Sequence, residues 1–419
     1  MSARPESGAA QAAYPSAAVV GCWAAYDLAN TIFSGIVVTR YFGLYMAGKG
    51  VGLLPLALAN IASMFLAGVA SPAAGALMDR SGRGRLLLVA TTLGCAGCTA
   101  FLFLPSGNEI LLGAFVAANF LYNLALVFYN AYLPHLGPPE RQGRISGIGT
   151  AVGYVGMIPA LFLAHAAEGK WGIPAVFPLA GGLFLLFSLP CFFTIPRIQP
   201  IPGESPLLSW RRVREGAMLV WRSPAARLFF LGNFLCTDVL NALIFWIMVF
   251  VENAFEFDGG QKTAYQAGLV VSNIACSFAA GWLSDRITAR WTYLLSISSL
   301  AGALLAAGLA PSKAFLVWTT VPLAGFGLGG IWTAGRKLLF ELTPPGREGE
   351  YSGFYGLTGK VSSLTTGLYA IVATSGGAWA HRGAILALLV PVLASWVLIK
   401  ALPARIAASP EAGAAARSR

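Results

Sequence analysis

Ala73-Ala74-Gly75-Ala76-Leu77-Met78-Asp79-Arg80 recurs as Ala279-Ala280-Gly281-Trp282-Leu283-Ser284-Asp285-Arg286, with six of eight positions kept at an offset of 206 residues. A second pair stands at the same offset: Pro138 through Gly147 matches Pro344 through Gly353 at six of ten positions. Two independent matches at one offset indicate a repeat, and a repeat sets the architecture before any single element is assigned. A third echo lies in the first apolar stretch of each copy. Gly21, Asp27 and Asn30 share their spacing with Gly232, Asp238 and Asn241, now at an offset of 211.

The repeat is written in an apolar chain. Of 419 residues, 57% are hydrophobic and 11% are charged, against roughly 25% charged in a soluble domain. Mean hydropathy is +0.69. This composition excludes a disordered chain, a nucleic-acid-binding tail and an ordinary cytosolic enzyme, and points to a polytopic membrane protein. Twelve stretches are long enough to span: 18–46, 54–78, 86–104, 109–133, 145–167, 174–195, 227–252, 264–285, 291–310, 314–338, 351–375 and 381–402. The expected fold is therefore an all-α membrane protein of twelve transmembrane helices in two six-helix halves. Six is even, so both halves insert the same way up, related by a two-fold axis along the membrane normal. The expected division is 1–195 for the first half, 196–226 for an Arg-rich linker with Pro200, Pro202 and Pro206, 227–404 for the second half, and 405–419 for a tail.

The net charge of +11, from 28 Lys+Arg against 17 Asp+Glu, reads as an orientation label. With both termini in the cytoplasm, 21 basic residues fall on the inner side, Arg336 and Lys337 among them, and five on the outer. The positive-inside rule selects that orientation, in a bacterial-type cytoplasmic membrane. The first 17 residues carry no signal-peptide pattern. All six cysteines fall within spans, so Cys95-x-x-Cys98 reads as packing and not as a redox pair. The three histidines have no metal-ligand spacing. No phosphate loop, H-E-x-x-H or G-x-S-x-G motif is present. The expectation is a monomer in the bilayer that is not an enzyme, needs no cofactor and binds no nucleic acid.

Gly75-x-x-x-Asp79-Arg80-x-Gly82-Arg83-Gly84-Arg85 resembles the signature loop of the major facilitator superfamily, and stands between helices two and three as it does there. The second copy keeps Gly281, Asp285 and Arg286. Three further stretches, Trp23-x-x-Tyr26-Asp27-x-x-Asn30-x-x-Phe33, Phe128 to Pro134 and Pro344 to Lys360, resemble the vacuolar amino-acid effluxer-like branch of that superfamily. The resemblance implies a two-half transporter with helices one, four, seven and ten around a cavity, and amino-acid export as a substrate class.

Charges within spans are expensive, at least about 2.5–3.5 kcal/mol at mid-depth, so they mark cavities or partners. Asp27, Asp238 and Lys360 are such charges. The two aspartates suit a proton or an ammonium group; Lys360 suits a carboxylate, or pairs with Asp238. The structural alternative is an Asp238–Lys360 tie, with Asp27 capping Asn30. Asn30 and Asn241 accompany the aspartates. Trp23 and Tyr26 stand beside Asp27, where aromatic rings can stack on an ammonium ligand. On helix four, Asn119, Asn123 and Asn130 share one face and Tyr122 an adjoining one, a hydrogen-bonding wall or inter-helix glue. Arg336 is the repeat equivalent of Asn130, a gate or anchor.

A carboxylate at the end of helix two can face a helix N-terminus in the other half, where the dipole favours anions. The resemblance puts Asp79 against helix eleven and Asp285 against helix five, with Arg80, Arg83 and Arg286 completing the gating set. The expected function is secondary transport by alternating access, exporting a small polar or zwitterionic metabolite such as an amino acid, with a proton as coupling ion. The alternatives are proton-coupled antiport of amphiphilic drugs or lipids, and a non-transporting receptor or scaffold.

Overall fold

The computed structural model describes residues 14–200, 210–361, 364–374 and 379–403. Arg4, Pro202, Pro206 and the tail 405–419 lie outside the described residues. Helix one is built from three consecutive pieces, Ala17–Ile32, a π-helical stretch Phe33–Tyr41, and Phe42–Gly48. Helices two to six are Leu53–Ser81, Gly84–Phe101, Asn108–Ala131, Gln142–Trp171 and Val176–Thr194. A linker helix, Trp210–Arg222, leads into the second half. Helices seven to ten are Pro224–Phe255, Gly259–Arg286, Ala289–Leu309 and Lys313–Glu341. Helix eleven runs as Glu348–Val361 and Leu364–Ala373, and helix twelve as Ala380–Ala387 and Leu389–Lys400.

Among the described residues, ten helices are long and apolar enough to cross a membrane. Helix one attains spanning length only through its three pieces, and helix eleven through its two. Pro72, Pro159, Pro190 and Pro322 sit inside helices, as membrane helices permit when neighbours re-satisfy the freed carbonyls. The ends are set locally. Gly82, at φ 62, closes helix two in a left-handed turn that a side chain would strain. Asp258 and Gln261 form a capping box at the start of helix eight, and Thr288 and Ser312 cap helices nine and ten.

Helix one packs on five and six, and four on two and three; in the second half ten packs on eight and nine, and seven on twelve. The halves meet along two seams, helix two against eleven and helix five against eight. The repeat explains the seams. A Cβ added at Gly143 would lie 2.7 Å from Gly281 O, and one at Gly147 would lie 2.6 Å from Ser277 O. The equivalents 206 residues away do the same, with Gly349 at 2.5 Å from Gly75 O and Gly353 against Ser71 O. Small residues let backbones approach closely where no water drives association. All four contacts lie toward the ends of the bundle that bear Arg80, Arg144, Arg286 and Arg347, called here the basic face.

Candidate functional site

A cavity of about 740 Å³ lies between the halves. Thr39, Asn60, Met248, Ala307 and Ile385 line it. These lie in the turns of helices one, two, seven, nine and twelve remote from the basic face, so the cavity opens on the distal side. Its wall mixes polar and apolar residues from both halves. The first half contributes amides and hydroxyls, among them Asn30, Thr31, Ser34, Asn119, Tyr122, Asn123 and Asn130; helix seven contributes Leu243, Ile244, Ile247 and Met248.

The floor holds both signs of charge. Arg336 Nη2 stands 3.6 Å from Asp27 Oδ2, and both side chains are largely buried. Arg336 also donates to Ser146 O at 3.1 Å and to Thr150 Oγ1. Helix ten is thereby tied to helices one and five, across the boundary between halves. Arg336 is 7% exposed and Lys337 is 4% exposed. The anchor alternative for Arg336 is therefore corrected: its head, like that of Lys337, points inward to a carboxylate, where a partner offsets the desolvation that a lone cation would suffer. Asp27 caps no neighbour through Asn30. The Asn30 amide is buried, lines the cavity and has no hydrogen-bond partner among the described residues.

Four further residues stand elsewhere than expected. Trp23 and Tyr26 are fully buried behind the floor and do not line the cavity. The Trp23 ring stacks on Tyr129 with centroids 4.5 Å apart, its indole donates to Tyr129 O, and Arg336 Cζ lies 5.8 Å from its centroid. The cation it meets belongs to the protein. Tyr26 exchanges a hydrogen bond with Thr92 Oγ1 at 2.6 Å. Asp238 and Lys360 do not line the cavity and do not pair. Asp238 Oδ2 accepts from the Thr365 amide at 2.9 Å, within the second half. Lys360 Nζ crosses to the first half, donating to Ser71 Oγ at 2.9 Å and Asn123 O at 3.0 Å. Asn241 lines the cavity and donates to Gly359 O at 3.2 Å. The helix-four wall is present, and is also glue. Asn119 Nδ2 donates to Ser63 Oγ at 2.7 Å, and Asn123 Nδ2 to Asn119 O at 2.7 Å. Tyr122 lines the cavity beside Phe33, ring centroids 4.8 Å apart.

Lys360 has only neutral partners among the described residues, a costly state for an ammonium group. Lys360→Met, which keeps length and removes charge, is expected to leave the melting temperature unchanged or higher while lowering transport at least about ten-fold. A fall in melting temperature with transport retained would instead make Lys360 a structural tie.

At the basic face two carboxylates close the seams. Asp79 accepts from the Gly349 and Glu350 amides at 2.7 and 2.8 Å, at the N-terminus of helix eleven. Asp285 accepts from the Gly143 and Arg144 amides, both at 2.9 Å, at the N-terminus of helix five. Both use orphan first-turn donors, where the helix dipole also favours an anion. The two contacts differ in charge. Asp285 is further paired with Lys337 at 2.8 Å and Arg144 at 3.6 Å, while position 350, the repeat equivalent of Arg144, is a glutamate. The remaining gating candidates are peripheral. Arg83 is exposed, and Arg286 is exposed over the Trp282 ring at 5.0 Å; Arg80 ends helix two, half-buried.

Sequence reasoning did not single out Ser71, Ser146, Thr150 or the Lys337–Asp285 pair as functional. The 206-residue offset held part of the signal, since it already aligned Ser71 with Ser277 across from glycines 353 and 147.

The family model of the major facilitator superfamily matches residues 17–367. The chain belongs to the major facilitator superfamily. Among its relatives, the uncharacterized MFS-type transporter YxiO of Bacillus subtilis (strain 168) is 24% identical over 370 residues, covering 82% of this chain and 85% of that protein. A bacterial homologue of the iron transporter ferroportin, solved in an outward-facing state, superposes with a TM-score of 0.72 at 15% identity, over 93% of this chain and 99% of the other. The E. coli fucose:proton symporter FucP gives a TM-score of 0.71 at 14% identity, over 93% and 98%. At such identities the structural likeness carries the fold. As a member of the major facilitator superfamily the chain is a multi-pass membrane transporter of small-molecule substrates and not an enzyme.

Proposed function

We propose that this transporter carries a small polar or zwitterionic metabolite, with an amino acid as the first substrate class. The observation that carries the reading is the cavity floor. The 3.6 Å between Arg336 and Asp27 exceeds the roughly 2.7–2.9 Å of a charge-assisted hydrogen bond. The pair is held together without being sealed, and the Asn30 amide beside it has no hydrogen-bond partner among the described residues. A substrate carboxylate on the Arg336 guanidinium and a substrate ammonium on the Asp27 carboxylate satisfy both charges at once. Neither end of a zwitterion is then buried unpaired, the arrangement that makes removal from water tolerable. The cavity volume falls within the range of small-ligand sites. Export is what the effluxer-like resemblance implies.

Transport on this reading proceeds by alternating access. On this reading the basic face is cytoplasmic, which its arginine content supports, and is closed by Asp79 and Asp285. The distal side is open. Substrate bound between Asp27 and Arg336 contacts both halves, so it acts on the contact that must change when one half rocks against the other.

A second reading rests on the other wall. Leu243, Ile244, Ile247 and Met248 suit an apolar moiety and favour proton-coupled antiport of amphiphiles, with Asp27 exchanging proton for cation. Counterflow in proteoliposomes at two pH values separates the two, using an amino-acid panel and an amphiphilic cation panel on wild type and Asp27→Asn. The expected result is counterflow of at least one amino acid, reduced about 100-fold or more in Asp27→Asn, in keeping with the loss of a buried charge partner. Counterflow of the amphiphiles alone would overturn the zwitterion assignment.

A further inference from the structure

The linker helix Trp210–Arg222 has two faces with different surroundings. Val213, Gly216, Leu219 and Val220 turn toward the bundle and are buried or half-buried. Met218 and Trp221 are exposed, Trp221 at 63%, and Arg214 and Arg222 are exposed with them. An apolar strip with arginines at its flanks is the pattern of a helix lying in the plane of a membrane surface. Trp221 is held in place from the next helix, since Arg227 stacks over its ring at 5.7 Å and donates to its carbonyl.

The buried face is seated on the gate. Gly216 lies directly against the carboxylate of Glu350, where any Cβ would clash. Glu350 is fully buried and its amide is one of the two that hold Asp79. Arg347 reaches the same carboxylate at 3.3 Å. The linker helix also contacts helices two and seven. Separation of helices two and eleven at the basic face therefore requires this helix to shift or to release Glu350.

We propose that the linker helix binds anionic phospholipid headgroups of the adjoining leaflet, and that this binding holds the Asp79 contact closed. Arg214 and Arg222 take the phosphates, and Trp221 and Met218 enter the headgroup boundary. Positive charge in the helix supplies the complementarity, with Arg214 and Arg222 exposed beside the single Glu215. The proposal concerns lipid and gate, not substrate, so it stands or fails separately from the zwitterion assignment.

The test uses the full chain in proteoliposomes, with the Trp221 signal isolated by subtraction of Trp221→Phe. Dibrominated phosphatidylglycerol is expected to quench Trp221 roughly five-fold more than dibrominated phosphatidylcholine, the enrichment given by about one exposed arginine near a charged surface. The Arg214→Gln/Arg222→Gln variant should lose that preference while keeping its elution profile and melting temperature. In parallel, hydrogen exchange of the Gly349 and Glu350 amides should be slower in phosphatidylglycerol than in phosphatidylcholine for wild type, and equal in the two lipids for the variant. Equal quenching by the two lipids overturns headgroup recognition. Quenching by neither places the helix away from the bilayer and overturns the proposal in favour of an acidic soluble partner. A lipid preference without an exchange difference overturns the coupling to the gate.

Discussion

Replacing Arg336 by Leu is expected to abolish counterflow and to lower unfolding stability by about 3 kcal/mol, the low end for stripping one partner from a buried ion pair. The variant leaves the Asp27 carboxylate without its 3.6 Å counter-charge and beside an amide, Asn30, with no hydrogen-bond partner among the described residues. It also removes the guanidinium from the Thr150 hydroxyl and from the Ser146 carbonyl, which keeps the Thr150 hydroxyl as a donor. Asp27→Asn/Arg336→Leu removes both charges, so most of the lost stability should return. Transport should not, because the substrate still finds neither charge. A double-mutant cycle on stability with counterflow measured in parallel distinguishes the two roles. Normal transport by Arg336→Leu would remove the pair from the mechanism.

The second large effect concerns the two gates, which should not respond alike. Asparagine offers one acceptor oxygen to two amides, and turns a donor on the other. Asp79→Asn is expected to weaken closure of the basic face by about 2 kcal/mol, within the range for a hydrogen bond to a charged group, or about 30-fold in the equilibrium between closed and open. Transport should fall while expression stays near normal. Asp285→Asn should be more severe. It leaves Lys337, 4% exposed, without its 2.8 Å counter-ion, and stripping one partner from a buried ion pair costs several kcal/mol. Spin-label distances across the basic ends of helices two and eleven, and of five and eight, should lengthen in the respective variants. Equal effects in the two variants would show that the charge difference between the gates is irrelevant; unchanged distances in both would show that neither carboxylate holds the face closed.

The fold was legible because it depends on quantities a sequence states directly: stretch length, hydropathy and a 206-residue repeat. The same repeat carried the seams, since the glycines at 75, 143, 147, 281, 349 and 353 are small in both copies for one steric reason. The site was legible only as a roster. Asp27, Asn30, Asn123, Tyr122 and Asn241 reach the cavity wall, and Arg336 stands on its floor. Their partners were not legible, because pairing across helices depends on rotation and tilt that a one-dimensional pattern does not record. Asp238 and Lys360 look alike in sequence, as charges deep in spans. One finds a backbone amide within its own half and the other reaches across to helices two and four. Tyr26 adjoins Asp27 in sequence and so turns to another face, whereas Trp23, four residues before it, shares the Asp27 face but is taken up by Tyr129 and Arg336.

Helix one carries Asp27 on its regular inner piece, Ala17–Ile32, and Ser34, Gly35, Val38 and Thr39 on its π-helical piece. The two pieces need not move as one rod. A π stretch is a looser ladder, marked here by the Thr39 hydroxyl reaching the carbonyl of Ser34 five residues back, and such stretches recur at functional sites. Tightening it toward ordinary α geometry would turn the mouth-lining residues relative to the floor without disturbing Asp27. The rim of the pathway can thus be re-phased while the charged seat stays fixed, which lets entry and binding be tuned, by substrate or by mutation, as separate properties.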